Sequence, residues 1–396
     1  MKIAMICDFY SASLTYQENF LAKYYVELGH DVTIITSTIE SIFDYVRGAY
    51  DSRRPVLTFH DGKAKVVRLP YRINFLNRVR AFSDLDEMLE SEAPDLIYVH
   101  NVLPSLLEAT RYQRRHPSTR LIVDSHADYS NSGKNWLSRK LLHGVVRRWL
   151  LTQALPYIER FYAITPATAL FVHENYNIPR EQIELLPLGA DLGAAATAEG
   201  NEATGSLRTR YGIAGNDFVI FSGGKHSPVK LFELLIEAVK NVKGENTWLI
   251  LIGDSSEENA SYAGMLRTLA NQHPRIVFTG WLGTTQLFEH LAMSDIAVFP
   301  AGQSILWQQA IGMAKPLVIA EPMAQAGGHQ DVSYLNIYDN IVVTDEPQTS
   351  ASWMTAMIED LKNDPAKRER MAVGARRVAA EILDWKTIAV RTLQRR

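Results

Sequence analysis

Asp217-Phe218-Val219-Ile220-Phe221 runs into Ser222-Gly223-Gly224-Lys225-His226-Ser227-Pro228-Val229-Lys230 and then into an apolar period of Leu231, Leu234, Leu235, Ala238 and Val239. An apolar run, a glycine pair and apolar positions three and four apart predict a buried strand, a tight loop and an amphipathic helix. That order builds a parallel α/β sheet, in which ligands meet the carboxyl ends of the strands. The loop also carries chemistry of its own. Glycines let backbone N–H groups approach an anion, Lys225 and Lys230 supply charge, and the following helix offers the positive end of its dipole. The stretch reads either as a phosphate site for a nucleotide-type ligand or as a Gly-rich turn with two solvated lysines.

Outward from this stretch the same alternation recurs. Trp248 to Ile252, Ile276 to Phe278, Ile296 to Phe299 and Leu317 to Ile319 read as further strands, most of them followed by helical patterns. In the first half, strands are expected at Lys2 to Cys7, Val32 to Thr36, Val66 to Leu69, Leu96 to Val99, Leu121 to Val123 and Phe161 to Ile164, with a helix from Glu18 to Leu28 that Gly29 stops. Two doubly wound domains in series follow, 1–187 and 188–378, joined by a hinge near Pro187 to Asp191. Gly193 to Gly205, rich in Ala, Gly, Thr and Glu, reads as a flexible surface stretch. The terminal segment 379–396 carries a helix marked by Trp385, Ile388 and Leu393 that can pack on either domain or cross back to the first.

The chain has 396 residues, enough for two cores, and a formal net charge of −3, which leaves no global field to attract a polyanion. Nucleic acid is therefore excluded as the main ligand. The single cysteine, Cys7, lies in the first apolar run and reads as a small buried hydrophobe, which suits a reducing cytosol. The first strand begins at Lys2 with no charged-then-apolar leader ahead of it, and no apolar run is long enough to span a bilayer. A cytoplasmic protein, soluble or peripheral, is expected.

Several segments together resemble the nucleotide-sugar-dependent glycosyltransferases of the two-Rossmann-domain (GT-B) type, specifically family 4. The resemblance covers nearly the whole chain and rests on Gly29 to Thr36, Tyr162 to Thr165, Leu186 to Asp191, Gly224-Lys225 with Ser227-Pro228 and Lys230, Leu251 to Asp254, Phe278 to Trp281, and Ala310 to Ala320 with Lys315-Pro316. It implies two Rossmann-like domains facing across a cleft, the donor held by the C-terminal one and the acceptor mainly by the N-terminal one. Lys225 stands where the family usually has Arg, and Lys230 matches the family Lys; both would grip the donor diphosphate and stabilise its departure without a metal. Gly224 belongs to the same loop, and Gly280, Trp281 and Leu282 match the turn that holds the base, although an ordinary strand end with a core Trp would read the same.

His126, in Asp124-Ser125-His126-Ala127-Asp128, resembles the family His beside the reacting carbon and is the third expected catalytic residue; His100 also follows a strand end. Asp128 reads as an acceptor contact or as a loop Asp in a local turn. The first loop departs from the family, with Leu14-Thr15 in place of a glycine pair, which shifts Tyr16, Gln17 and Glu18 toward the acceptor. A second departure is sharper. The family's donor loop carries two glutamates separated by seven residues, and Ala301 and Gln309 occupy those positions here. Gln309 can hydrogen-bond a ribose, whereas Ala301 offers the sugar nothing, so Gln303, Ser304 and Ile305 of the same loop become the expected sugar contacts.

No acidic residue lies between Tyr129 and Ile158, where Lys134, Arg139, Lys140, Arg147 and Arg148 interleave with Trp136, Leu137, Leu141, Leu142, Val145, Trp149 and Leu150. This is a basic amphipathic pattern, read either as a core helix with solvated charges or as a dock on an anionic membrane face, 134–150. The expected function is transfer of a sugar from a nucleoside diphosphate sugar to a glycan or lipid-linked acceptor of surface polysaccharide assembly. Retention of configuration, with no cofactor and no metal, follows from the resemblance. The alternatives are a catalytically weak, transferase-like subunit that binds nucleotide sugar, or a nucleotide-sugar epimerase on the same fold.

Overall fold

The computed structural model describes residues 1–12, 15–39, 56–75, 78–129, 131–132, 136, 138–200, 203–271, 273–321 and 331–395. The chain divides into two compact units, Met1–Pro187 with Ile388–Arg396, and Leu188–Thr387. Each is a mixed α/β layer structure around a largely parallel sheet.

The first unit holds β1 (Lys2–Ile6), β2 (Asp31–Ser37), β3 (Leu57–Asp61), β4 (Ala64–Leu69), β5 (Tyr71–Phe75), β6 (Val79–Phe82), β7 (Leu96–Val99), β8 (Arg120–Ser125), β9 (Arg160–Ala163) and β10 (Ile183–Leu185). Eight of them form one sheet in the order β10-β9-β8-β7-β1-β2-β4-β3, and β5 and β6 make a separate hairpin. Pairing is parallel except between β3 and β4 and within the hairpin. β7 and β8 are buried at every residue, as strands covered on both faces must be. Strands on either side of β1 and β7 run outward in opposite directions of connection, so the carboxyl ends of this pair form a topological switch point.

The second unit holds β11 (Phe218–Gly223), β12 (Thr247–Ile252), β13 (Ile276–Gly280), β14 (Ile296–Phe299), β15 (Leu317–Ile319) and β16 (Ile341–Val343), all parallel. Their order, β13-β12-β11-β14-β15-β16, is that of a Rossmann sheet, with the switch point between β11 and β14. Alternate residues of these strands feed two apolar clusters. Val219, Phe221, Ile250, Ile252, Ala297 and Phe299 enter one, and Phe218, Ile220, Leu249, Leu251, Ile296 and Val298 the other, as a period of two requires of a sheet buried on both faces.

One expectation is corrected and two are drawn in finer detail. The stretch read as flexible is helical over Leu192–Glu199 and Ala203–Tyr211; alanine supplies the helix propensity, and Asp191 caps the first helix by accepting from the Ala194 N–H at 3.0 Å. The basic segment is a π-helix over Ser138–Arg147 that passes into an α-helix, Arg148–Ala154. The terminal helix, Trp385–Leu393, divides: its residues up to Thr387 belong to the second unit and those from Ile388 onward to the first.

Candidate functional site

In the second unit the residues after β11 do what the loop reading anticipates only in part. The Gly224 N–H donates to the Ile252 carbonyl at 3.1 Å and the His226 N–H to that of Asp254 at 2.9 Å, so these amides extend the β11–β12 ladder and are not offered to an anion. The chemistry left to this loop lies in its side chains. Lys230 ends a short 3₁₀ turn, Pro228–Lys230, followed by Leu231 at φ 50° and the helix Phe232–Asn241. Its ammonium reaches across the switch point to donate to the carbonyls of Gly302 at 3.0 Å and Gln303 at 2.7 Å, beyond the end of β14. Burial pushes this ammonium down to about 8, with the charge of Glu321 acting the other way. Lys225 is half-exposed and ion-pairs with Glu258 at 3.2 Å.

His226, which drew no reading from the sequence, is buried beneath the loop, edge-on to Phe232 and Phe278, and its ring nitrogens have no hydrogen-bond partner among the described residues. Gly280 closes against β12, accepting from the Gly253 N–H at 2.8 Å. Trp281 is 66% exposed and so is not a core residue, while Leu282 packs partly buried on the apolar cluster. Ser304 accepts from the Leu306 N–H and Ile305 is exposed. Gln309 accepts from the Asp191 N–H at 3.1 Å, which ties the helix Leu306–Gly312 to the start of the unit and commits its side-chain oxygen. Ala301 is buried.

In the first unit the strand ends gather around a residue the sequence reading left unassigned. Asp124, fully buried near the end of β8, accepts at Oδ2 from Gln17 Nε2 (3.0 Å), Tyr98 Oη (2.8 Å) and His100 Nδ1 (3.1 Å), and at Oδ1 from the Asn101 N–H (2.8 Å). His126 Nε2 lies 3.5 Å from the same Oδ2, its ring 4.4 Å from that of His100, and its N–H donates to Asn101 Oδ1 at 3.0 Å. Glu18 is buried with a carboxylate oxygen 3.9 Å from His100 Nε2. Burial opposes charge on both members of the central pair, but the opposite charges win. Asp124 is held well below the usual carboxylate range by His100 and His126, and His100 is raised to about 9 by Asp124 and then Glu18.

His100, Asp124 and His126 offer ligand atoms within 4.8 Å of one another. The protonated state of His100 and the crowded Oδ2 fit a buried ion pair; a metal would have to displace that proton and compete with the Gln17 and Tyr98 donors. Gln17 is thus part of the polar hub, Tyr16 is exposed at the start of its helix, and Asp128 is buried in a local turn with Asn131 at 2.9 Å, the structural alternative raised for it. Leu14 and Lys134 lie outside the described residues. Asp8, at the end of β1, accepts from Tyr71 Oη at 2.9 Å and ion-pairs with Arg80.

Residues 19–189 match the Glycosyl transferase 4-like domain and residues 216–360 the Glycosyl transferases group 1 domain. The chain belongs to the family 4-like GT-B glycosyltransferases. Among relatives of this family 4-like chain, the D-inositol 3-phosphate glycosyltransferase of Kineococcus radiotolerans is 25% identical over 265 residues, 61% of this chain and 58% of that protein. The lipopolysaccharide core biosynthesis glycosyltransferase LpsD of Rhizobium meliloti is 30% identical over 166 residues, 40% of this chain and 43% of that one. The matches thus span about half the length of these curated relatives. HepE of Anabaena, solved in complex with UDP and glucose, shares the fold over 99% of this chain and 98% of its own, with a TM-score of 0.67 at 16% identity. Among the described residues no helix is long and apolar enough to cross a membrane.

Proposed function

We propose that this GT-B protein moves a glycosyl unit from a nucleoside diphosphate sugar to a lipid-linked glycan of surface polysaccharide assembly, with retained configuration and without a metal or other cofactor. The observation that carries the reading is Lys230, a largely buried ammonium poised across the Rossmann switch point. A diphosphate arriving there exchanges two carbonyl acceptors for anionic oxygens, a stronger partner for the same donor. Lys230 and Lys225 then stabilise the charge that develops as the sugar–phosphate bond breaks. His126, fixed through its backbone by Asn101 and beside Asp124, is the group assigned to the reacting sugar, and Tyr16, Glu18 and His100 belong to the acceptor side. HepE, solved with UDP and glucose, supports this class of donor, and the glycosyltransferase relatives support glycosyl transfer as the reaction.

The peripheral location rests on the basic segment. Trp136, Leu141, Val145 and Trp149 are exposed, as are Arg139, Lys140 and Arg148, an arrangement that suits an anionic bilayer surface. Ala301 favours one other reading, a subunit that binds nucleotide sugar without turning it over. A thermal-shift panel of nucleoside diphosphates and their sugars, followed by an assay of nucleoside diphosphate release with membrane-extracted acceptor, separates them. A specific donor raises stability by about 2.7 kcal/mol at a hundredfold excess over its dissociation constant. Stabilisation with release supports the transferase, stabilisation without release the binding subunit, and stabilisation by none of the nucleotides rejects both.

A further inference from the structure

Where the basic segment passes into the helix Arg148–Ala154, the first unit has a cavity of about 490 Å³, walled by that helix, its 3₁₀ continuation Leu155–Tyr157 and the end of the helix Pro166–Tyr176. Leu151 and Ile178 are buried at its base. Arg148, Thr152 and Asn177 are exposed at its rim, and Gln182 is half-buried there. The side-chain amides of Asn177 and Gln182 have no hydrogen-bond partner among the described residues. Arg148 has no ion pair among them either, in contrast to Arg111, Arg120 and Arg160 of the same unit, which meet Asp86, Glu159 and Glu184. A second cation stands behind the wall: burial raises the Tyr176 hydroxyl, and the Arg147 charge acts against that rise. The nearest acidic residues in sequence are committed, Glu174 to the Tyr129 hydroxyl and Glu181 to a partner of its own.

The cavity opens beside the exposed apolar strip of the basic segment. Val145, Arg148, Trp149 and Thr152 are three and four residues apart, a spacing that puts them on one side of the helix, and Val145 and Trp149 are exposed. Resting on the reading of 134–150 as a membrane face, we infer that this cavity seats the headgroup of an anionic phospholipid whose phosphate is esterified to a polyol, phosphatidylglycerol being the simplest case. Arg148 presents a planar fork that matches two phosphate oxygens. The Asn177 and Gln182 amides both donate and accept, which is what a vicinal diol requires, and the apolar base takes the carbons of the polyol. Phosphatidylserine carries the same net charge but ends in an ammonium, which would stand beside Arg148 with nothing acidic on the rim to receive it.

Net charge and headgroup chemistry can be separated in vesicles. Flotation of the full-length protein on phosphatidylcholine vesicles carrying equal mole fractions of phosphatidylglycerol or phosphatidylserine is expected to favour the former about tenfold, the worth of two hydrogen bonds. N177G/Q182A removes both amides, alters no charge and suits the left-handed backbone of Asn177 at φ 60°. Its binding to phosphatidylserine vesicles should equal that of the wild type, while its preference for phosphatidylglycerol falls to near one. R148K, which keeps the charge and loses the fork, should likewise lose most of the preference, with thermal unfolding matched to wild type as the check on folding. Equal binding of the wild type to the two lipids, or a preference that survives both variants, overturns the headgroup seat and leaves the membrane face standing. Flotation with neither lipid rejects that face and this inference with it.

Discussion

Asp124 shows how one buried charge can organise a strand end. Its carboxylate is inaccessible to water and stays ionised because Gln17, Tyr98, His100 and the Asn101 amide all donate to it. Replacing it with Ala leaves Gln17, Tyr98 and the Asn101 amide without their acceptor and His100 without the charge that holds its proton, and should cost about 3–5 kcal/mol by urea unfolding. The pH dependence of stability follows with a definite sign. His100 is raised in the folded state to about 9, so its contribution is complete below the ordinary histidine value of about 6.5 and disappears as pH rises through about 9. Asp124, lowered, contributes above the ordinary aspartate range and is lost only in strong acid. Wild-type stability should therefore fall between pH 6.5 and 9 relative to H100Q, which flattens that limb; parallel profiles for the two proteins would refute the assignment. Lys230 gives the corresponding prediction for binding. Since its ammonium sits near 8, the dissociation constant for a nucleoside diphosphate should climb above that pH by up to about tenfold per unit, and Lys230→Arg, which does not deprotonate, should remove the slope.

At the scale of elements, the loop after β11 is held by glycines whose neighbours leave no room. Gly253, just past β12, has φ 101°, and a Cβ there would stand 2.0 Å from the Gly224 carbonyl oxygen. Gly253→Ala should displace the β11 loop and cut nucleotide affinity, whereas the same change at Gly205, which faces open space, should leave it unaltered. Most strands of both sheets were legible because a short, continuous apolar run bounded by turns is what a strand covered on both faces requires. β3, β10, β16 and the β5–β6 hairpin were not, since they are either only three residues long or carry half-exposed, mixed residues with no clean period. Asp124 was illegible on a different ground: its partners at Gln17, Tyr98 and His100 are not neighbours in the sequence pattern and meet only once the sheet is closed. The π-winding of Ser138–Arg147 was likewise absent from the sequence pattern; its i to i+5 bonds widen the turn so that exposed Leu141 and Val145 lie nearly above one another. Vesicle flotation should show binding that weakens with salt and needs anionic lipid, and both R139E/R148E and L141D/W149D should abolish it. Flotation that survives the aspartates but not the charge reversals would reduce the contact to electrostatics without insertion.

For the whole molecule, the direction of the chain matters more than its bulk composition. A net charge of −3 sets no long-range field, so any attraction by the basic segment is local, and the two units have separate cores. The last residues do not stay with the unit that precedes them. Gly189 lies tightly against the Trp385 ring, and the Ala190 N–H donates to the Leu383 carbonyl, which keeps this part of the terminus in the second unit. From Ile388 the chain belongs to the first. There Arg120, ion-paired to Glu159, donates to the carbonyls of Leu393 and Gln394 at 2.7 Å each, Arg391 donates to that of Leu185 at 3.0 Å, and the buried Tyr25 and Thr392 hydroxyls meet at 2.5 Å. A chain ending at Thr387 thus removes acceptors and apolar cover from the first unit, while every described residue around Lys230 remains. Each lost bond to Arg120 costs on the order of 1.5–3 kcal/mol, and the partly buried guanidinium is left short of partners. Calorimetry should find the first unit's transition lowered or absent and the second still shifted upward by the nucleoside diphosphate that the full chain binds. Loss of that nucleotide-induced shift in the truncated protein would show that the terminal nine residues serve the second unit, contrary to the contacts that place them in the first.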